Sequence, residues 1–346
     1  MAGEMENSAQ KMSELTNRGG LIGAYRLDGK GGGNDIDWDA IEADPLGDRQ
    51  HGDIWVHLDR TGTKARQWVE TGARLPDSAI RALLEDDPRP RFSYYPATGD
   101  SPEGLLFVLR GINFNQDADP EDMVSVRLWI DENRVITTRR RRIMSVDDRR
   151  QALLRGSGPW ESVDVLMGIN ESLIERMQPV LNEMDDELSE YEEDEQRRDL
   201  GAIRGRIADL RRKIVIIRRY LSPQREALTL AESKLPHWAG DHVRQAIHDS
   251  AVGLARIVDH LDEMRDRTKA VHDELSLIEN ERMARISLRL TVIAAVFLPA
   301  NMIAAIWGMN TGGLPLVGHP YGFWVVMGIL VACAAAGVYM ARGLLR

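Results

Sequence analysis

The chain has 346 residues, of which 28% are charged and 43% hydrophobic, which is enough for one or two domains with cores of their own and excludes a protein lying wholly in a membrane. The formal net charge of −10 argues against nucleic acid as a partner and is compatible with concentrating cations or with ordinary solubility. Cys333 is the only cysteine, so a disulfide or a thiolate metal cluster within one chain is excluded, and any metal must be held by oxygen or imidazole.

The N-terminal part predicts a mixed α/β domain. Residues 1–20 have no apolar run typical of a cleaved signal peptide and are expected to form a flexible tail on the cytosolic side. Residues 21–155 are expected to form a cytosolic α/β domain, in which Gly29–Asp37 is a loop without the features of a phosphate-binding P-loop. The predicted strands are Leu21–Leu27, Asp53–Leu58, Gly104–Arg110, Val124–Ile130 and Arg134–Thr138, and the predicted helices are Thr63–Thr71 and Pro76–Leu84.

Residues 156–240 have a helical pattern and are expected to form further cytosolic helices. The first helix, Glu161–Glu195, carries an acidic run from Glu183 onward, and the second, Leu200–Leu221, is rich in arginine and is expected to end at Pro223. The two could lie antiparallel and pair their charges. Solvated helix faces, or direct collection of metal ions by the acidic run, are the alternatives.

A single long helix is predicted from Asp241 to Trp307, because no proline occurs between Pro236 and Pro299. From Ile247 onward, residues spaced by three and four are mostly apolar, which is the pattern of a coiled coil. At about 1.5 Å per residue this helix is on the order of 100 Å long. Residues 241–289 are expected to form a stalk that continues into a membrane span.

Two membrane spans are predicted near the C-terminus, since no Asp, Glu, Lys or Arg occurs between Leu290 and Ala341. Each half approaches the roughly 20 apolar residues that a spanning helix needs. Arginines flank the pair, and the loop between them has no Lys or Arg, so both termini are expected on the cytoplasmic side of a bacterial-type inner (plasma) membrane. The predicted parts are a first span at 290–310, a periplasmic loop at 311–320, a second span at 321–342 and a cytosolic end at 343–346.

A polar repeat follows the opposite face of the long helix, at intervals of seven residues that form one line in a supercoiled helix. When this line is extended into the first span in steps of three and four residues, it includes Thr291 and Asn301. Polar side chains such as these are costly in a bilayer unless they face protein or water. A ring of copies with this face inward, as in ion channels, is the economical solution. An interhelical hydrogen bond by Thr291 or Asn301 is the alternative. The predicted vestibule residues are Asp259, Asp266, Asp273 and Asn280, and the predicted pore-lining residues are Ser287, Leu290, Thr291, Ala294, Leu298, Asn301 and Ala305.

The tripeptide Gly308-Met309-Asn310, directly after the first of two C-terminal spans, resembles the signature of the CorA superfamily of divalent-cation transporters. Leu290-Thr291 and Phe297-Leu298-Pro299 fit the first span of that family. The resemblance implies an α+β membrane protein that is a homopentamer, with an N-terminal αβα funnel in the cytosol, the first span lining the pore and the second span outside it. It also implies that Gly308, Met309 and Asn310 form the outer mouth, where Asn310 would contact a hydrated cation.

Within the superfamily the chain is most similar to the ZntB zinc-transport branch. The segments that carry this likeness are Gly312–Pro315, Trp55–Asp59, Arg110–Asn113, Pro120–Val124 and Arg218–Arg225. Magnesium-type members usually place an acidic residue in the outer loop, whereas this loop offers only His319. An imidazole suits zinc better than magnesium, although a lone loop histidine is more often incidental.

The resemblance implies passage of Zn²⁺ through the pore, with no cofactor, nucleotide or nucleic acid and with the lipid bilayer and copies of the chain as partners. Zinc-branch members are considered proton-coupled, but the pore line has no ionisable residue within the bilayer. A Mg²⁺ or Co²⁺/Ni²⁺ channel of CorA type is one alternative. A membrane-anchored cytosolic metal sensor is another, and an enzyme is not expected, because nothing near His57 and Asp59 completes a catalytic set. The sensor alternative would use His237, His242, His248, His260 or His272.

Overall fold

A computed structural model describes residues 19–48, 50–86, 89–193, 200–309, 314–315 and 319–344. The chain divides into two compact units, one that ends at Ala270 and one that begins at Val271.

The first unit is built on a seven-stranded sheet in the order β2-β1-β3-β7-β6-β5-β4. β3 and β7 pair in parallel, and the other neighbouring strands run antiparallel. Strand β5, next to the edge strand β4, is buried along its whole length, which accounts for its unbroken apolar run. The strands are β1 Leu21–Leu27, β2 Gly33–Asp35, β3 Ile54–Asp59, β4 Arg91–Tyr95, β5 Gly104–Gly111, β6 Val124–Asp131 and β7 Arg134–Arg139.

Helices cover both faces of this sheet, so the predicted αβα arrangement is confirmed. On one face Trp68 and Leu83 pack in a cluster with Trp129 of β6. On the other face Tyr25 of β1 accepts a hydrogen bond from Arg150, and the long helix α5 packs along the central strands. The helices are α1 Trp38–Ala43, α2 Thr63–Gln67, α3 Asp77–Leu84, α4 Met144–Leu154, α5 Ser162–Glu193, α6 Leu200–Glu232, α7 Gly240–Gly308 and α8 Gly322–Leu344; a π-helical turn, Trp68–Gly72, continues α2.

The sequence prediction missed several short elements of the first unit. β2 and α1 lie where a loop was expected or nothing was assigned, and β4 and α4 were not predicted either. β2 has three residues and its side chains are largely solvent-accessible, so it lacks the alternating apolar pattern that marks a half-buried strand. β4 has the same weakness, since only Phe92 of its five residues is buried.

The expectation that the arginine-rich helix ends at Leu221 is wrong. α6 continues through Pro223 to Glu232. Its additional turns bury Leu228 and Ala231 completely, and the gain from this packing outweighs the loss of one helical hydrogen bond at the proline.

Ion pairs join α7 to both long helices of the first unit. Arg267 of α7 lies 2.6 Å from Asp185 and 2.6 Å from Glu192 of α5, and these contacts raise the pKa of its guanidinium. Arg218 of α6 donates to both carboxylate oxygens of Asp262 at 2.7 and 2.9 Å. The acidic run of α5 therefore pairs with α7, a partner that none of the three sequence-based alternatives for this run included.

His57 of β3 is completely buried in the sheet. Its Nδ1 lies 2.8 Å from the hydroxyl of Thr137, and its Nε2 has no hydrogen-bond partner among the described residues. Burial and the nearby guanidiniums of Arg139 and Arg150 hold the pKa of His57 well below 6.5. The folded protein therefore keeps this ring neutral, which is a structural role.

We predict that the first unit loses stability as the pH falls below 6.5, the ordinary pKa that His57 regains on unfolding. The unfolded ring then binds a proton that the folded ring cannot, at a cost of about 1.4 kcal/mol per pH unit. Thermal unfolding of the full chain in detergent, recorded on both sides of that pH, measures this slope. His57→Gln should flatten it, whereas His242→Gln, at an exposed position, should not; equal slopes in all three proteins would contradict the assignment.

Candidate pore-lining helix

The candidate site is the C-terminal half of α7, in the second unit. Helical segments that reach Gly308 in α7 and Tyr339 in α8 each contain an apolar stretch of mean hydropathy 2.0, long enough to cross a membrane. In the core of a soluble protein such stretches would be buried, but within this chain 0% and 6% of their residues are. The apolar side chains of these two stretches must therefore be covered by lipid or by further protein.

One face of α7 packs against α8. Val296 lies so close to Gly337 that a Cβ on this glycine would sit 3.0 Å from the Cγ2 of Val296. Small residues at such contacts let membrane helices approach each other closely. The half-buried residues of α7 in this region, which define the α8-facing stripe, are Val292, Val296, Ala300, Ile303, Ile306 and Trp307.

The predicted pore line lies on the opposite face of α7. At about 100° per residue, Ala294, Leu298 and Asn301 point away from Val296. Leu298 is 74% exposed, and Leu290, slightly to one side of the line, is 62% exposed. The other members in this span, all exposed, are Ser287, Thr291, Ala294, Asn301, Ala305 and Gly308. The structure thus keeps the polar side chains of the span clear of α8.

Thr291 has a hydrogen bond within its own helix. Its hydroxyl donates to the carbonyl oxygen of Ser287 at 2.9 Å. A hydroxyl has one proton to donate and further lone pairs that accept, so the Thr291 oxygen can still face a cation or its water shell. In the single chain, Thr291 therefore does not need a partner on another helix.

The predicted vestibule residues also lie on exposed positions of α7. Asp259 and Asp266 belong to the first unit, Asp273 and Asn280 to the second, and all four are exposed. The carboxylate of Asp266 lies 2.8 Å from Arg265, which offsets part of its charge.

The coiled-coil stripe is buried, as predicted, at Ile247, Leu254, Ile257, Leu261, Met264, Thr268, Val271 and Leu275.

The structure describes only part of the predicted outer mouth. Gly308 is the last residue of α7 and Met309 is exposed, but Asn310 lies outside the described residues. His319 is exposed, and its Nδ1 accepts a hydrogen bond from the backbone of Tyr321 at 3.4 Å. No group of three or more His, Cys, Asp or Glu side chains in the described part of the chain is arranged to hold a metal ion.

Sequence reasoning did not bring together three of the segments it had singled out. Arg110–Asn113, Pro120–Val124 and Arg218–Arg225 meet beside the C-terminal end of β5, around a cavity of about 360 Å³. The hydrogen bond that brings Arg218–Arg225 to the other two segments, from Arg110 to Gln224, spans 114 positions, so no local spacing predicts it.

Comparison with known proteins gives consistent matches over most of the chain. Residues 51–342 match the family described as "CorA-like Mg2+ transporter protein". The chain is 33% identical over 314 residues to the "Zinc transport protein ZntB" of Pectobacterium carotovorum subsp. carotovorum (strain PC1), covering 90% of this chain and 91% of that protein. Among solved structures, the full-length CmaX protein is similar with a TM-score of 0.77 and 30% identity, covering 94% of this chain and 98% of that one. The CorA magnesium transporter from Methanocaldococcus jannaschii shares the fold, with a TM-score of 0.75 and 20% identity over 92% of this chain and 97% of that one.

We predict that a water-soluble thiol reagent modifies a cysteine at Ala294 or Ala305 faster than one at Val296, because only Val296 packs against α8. Replacing Cys333 by Ala first removes the single native thiol. Modification rates measured on the full chain in liposomes give the comparison. The face assignment fails if the cysteine at Val296 reacts as fast as the other two.

Proposed function

Because the chain belongs to the CorA-like Mg²⁺ transporter family, a family of metal-cation transporters, we propose that it passes Zn²⁺ across the inner membrane through a homopentameric pore lined by α7. The observation that carries the proposal is the division of α7 into two faces. One face packs on α8 at Val296, and the opposite face exposes Thr291 and Asn301 together with the rest of the polar line. A ring of copies with the polar face inward gives these groups a water-filled environment.

Capture of the ion is assigned to the outer mouth formed by Gly308, Met309 and Asn310. The carboxamide oxygen of Asn310 and neighbouring backbone carbonyls would contact a cation that keeps its water shell. The loop has no carboxylate, so the mouth selects by oxygen dipoles and size and not by net charge.

Below the mouth, polar and apolar rings alternate along α7. Asn301 and Thr291 are ten positions apart, about 15 Å along the helix. Leu298 lies between them and Leu290 follows Thr291 on the inner side, so each leucine ring is a hydrophobic constriction that can close the pore by excluding water. Thr291 is the polar step between these constrictions, while Asn301 lies on the outer side of Leu298 and Ser287 on the cytosolic side of Leu290.

The vestibule line supplies negative charge on the cytosolic side. In five copies, Asp273, Asp266 and Asp259 form successive carboxylate rings, with Asn280 above them. Such rings raise the local concentration of cations at the inner end of the pore. A vestibule on the cytosolic side agrees with both termini being cytoplasmic, as the flanking arginines indicate.

Zinc is preferred over magnesium because the relative with 33% identity is named a zinc transport protein, whereas the likeness to the magnesium transporter, at 20% identity, concerns the fold. The outer loop agrees with this choice, since it lacks the acidic residue that magnesium-type members usually place there. The family description, with Mg²⁺ in its wording, keeps a Mg²⁺ or Co²⁺/Ni²⁺ channel as the second candidate.

We predict that Asn310→Ala abolishes zinc uptake into proteoliposomes while the oligomer stays intact, because the variant removes the ring of amide oxygens at the mouth. Uptake is followed with an encapsulated zinc dye, and native mass spectrometry counts the subunits. His319→Ala, in the same loop, is the matched control and should leave uptake close to that of the unaltered protein. Normal uptake by Asn310→Ala would remove Asn310 from the mouth.

We predict that excess Mg²⁺ leaves zinc uptake unchanged in the same vesicles, whereas Co²⁺ and Ni²⁺, which share the ligand preferences of Zn²⁺, compete with it. Initial rates of zinc uptake at increasing competitor concentration measure this. Inhibition by Mg²⁺ at the concentration where Co²⁺ acts would favour the magnesium-channel alternative.

A further inference from the structure

A row of arginines precedes the apolar stretch of α7. Arg282, Arg285 and Arg289 follow each other at intervals of three and four residues, so they are neighbours on one side of the helix. All three are exposed, and the side chain of Arg285 is 74% exposed. These three residues form the arginine row, which the pore does not use.

The arginine row lies on the side of α7 that faces α8, opposite the polar line. Val296 marks that side, because it is the residue that meets Gly337 of α8. Counted at about 100° per residue, all three arginines fall within about 40° of the direction of Val296, whereas Ser287 points the opposite way. The row therefore points outward from a pore that the polar line faces.

Most of the arginine row extends beyond the end of α8. The two helices are joined by a short loop and run in opposite directions, with Val296 beside Gly337. Seven residues after Gly337, α8 ends at Leu344, and seven residues before Val296 stands Arg289, so these two positions are level. The other two arginines lie about 6 and 10 Å further along α7. The outer face of α7 is not covered by α8 there.

This uncovered part of α7 is at the depth of lipid headgroups. The charge-free part of the helix, residues 290–307, is about 27 Å long, close to the roughly 30 Å of a hydrocarbon core. Ile286 and Leu288, which are 46% and 41% exposed, flank the arginine row on its two sides. Arginine stems lie along apolar surface while their charged ends reach polar surroundings. Apolar contacts and guanidiniums are therefore both available where acyl chains meet headgroups.

The carboxylates near the arginine row lie on its side away from the membrane. Glu281 accepts one hydrogen bond from Arg285 at 3.1 Å, and the next carboxylate, Glu279, is further from the apolar stretch. Residues 282–341 include the three arginines and no Asp or Glu. A guanidinium has five N–H donors, so Arg285 can keep its contact with Glu281 and still bind a second anion. On the membrane side of the row, neither α7 nor α8 supplies negative charge.

We propose that the arginine row binds the headgroup of an anionic phospholipid. The planar guanidinium matches the two free oxygens of a phosphodiester, and Arg285 and Arg289, one helical turn apart, can hold one phosphate between them. Zwitterionic headgroups bind less tightly, because their own ammonium group offsets the charge of the phosphate. Each basic residue near a membrane surface strengthens the attraction to anionic lipid about fivefold.

The lipid site does not depend on which ion the protein passes. It requires that the apolar stretches of α7 and α8 lie in a bilayer, and the cytoplasmic termini proposed above place it in the inner leaflet. A headgroup held by the arginine row contacts α7 from outside. Such a contact opposes rotation of the helix about its axis, which would turn the polar line away from the pore.

Native mass spectrometry of the full chain in detergent, after removal of co-purified lipid, tests the proposal. Dioleoylphosphatidylglycerol and dioleoylphosphatidylethanolamine, which have the same acyl chains and differ in headgroup charge, are titrated separately. We expect the anionic lipid to bind at least tenfold more tightly than the zwitterionic one. Equal affinity for the two lipids would overturn the proposal.

Variants at exposed positions locate the lipid site. Arg285→Gln and Arg289→Gln should each weaken binding of the anionic lipid about fivefold and leave binding of the zwitterionic lipid unchanged. Arg256→Gln, at an exposed position of α7 in the first unit, is the matched control and should bind both lipids as the unaltered protein does.

Replacing all three arginines of the row by Gln should remove the preference for anionic lipid. The same mass spectra count the subunits of each variant. A triple variant that keeps its preference for the anionic lipid overturns the proposal. If that variant also loses subunits, the arginine row contacts a neighbouring copy of the chain and not a lipid.

Discussion

The close contact between Val296 of α7 and Gly337 of α8 is the constraint on which the candidate pore depends. A helix in lipid satisfies its own backbone, so nothing except side-chain packing decides which of its faces is turned toward a partner. Because Val296 packs against α8, the opposite face of α7, which carries Thr291 and Asn301, does not contact α8. The carboxamide of Asn301 on that face then requires an environment that neither α8 nor lipid supplies.

A different requirement applies in the first unit, where buried arginine side chains need hydrogen-bond or ion-pair partners. Arg134 is completely enclosed and is paired at 2.6 Å with Asp131, so its charge is matched inside the sheet. Arg127, on the neighbouring strand, donates to the carbonyl oxygens of Glu85 and Asp86 and, within the part of the chain that the structure describes, forms no ion pair with a carboxylate. The two arginines therefore differ in their partners, since the charge of Arg134 is matched by a carboxylate and that of Arg127 is stabilised by backbone carbonyl oxygens.

The sequence predicts those features of the fold that depend on residues close together in the chain. The buried strands β3, β5 and β6, the long helix and the polar line on α7 were predicted because spacing along the chain reports which side chains share a face. The exposed strands β2 and β4 have no such pattern, and Pro223 suggested a helix end that the burial of Leu228 overrides. The cavity beside the C-terminal end of β5 could not be predicted at all. It depends on contacts such as that of Arg110 with Gln224, which only the tertiary fold creates.

The lack of Asp, Glu, Lys and Arg between Leu290 and Ala341 has an energetic consequence for any ion that crosses. With no fixed charge in the span, the electric field across the membrane acts on the ion alone. A divalent cation moving down a potential of about 100 mV, negative inside, gains about 4.6 kcal/mol. That gain corresponds to an equilibrium concentration ratio on the order of a thousandfold, so a passive path through α7 already favours entry over exit.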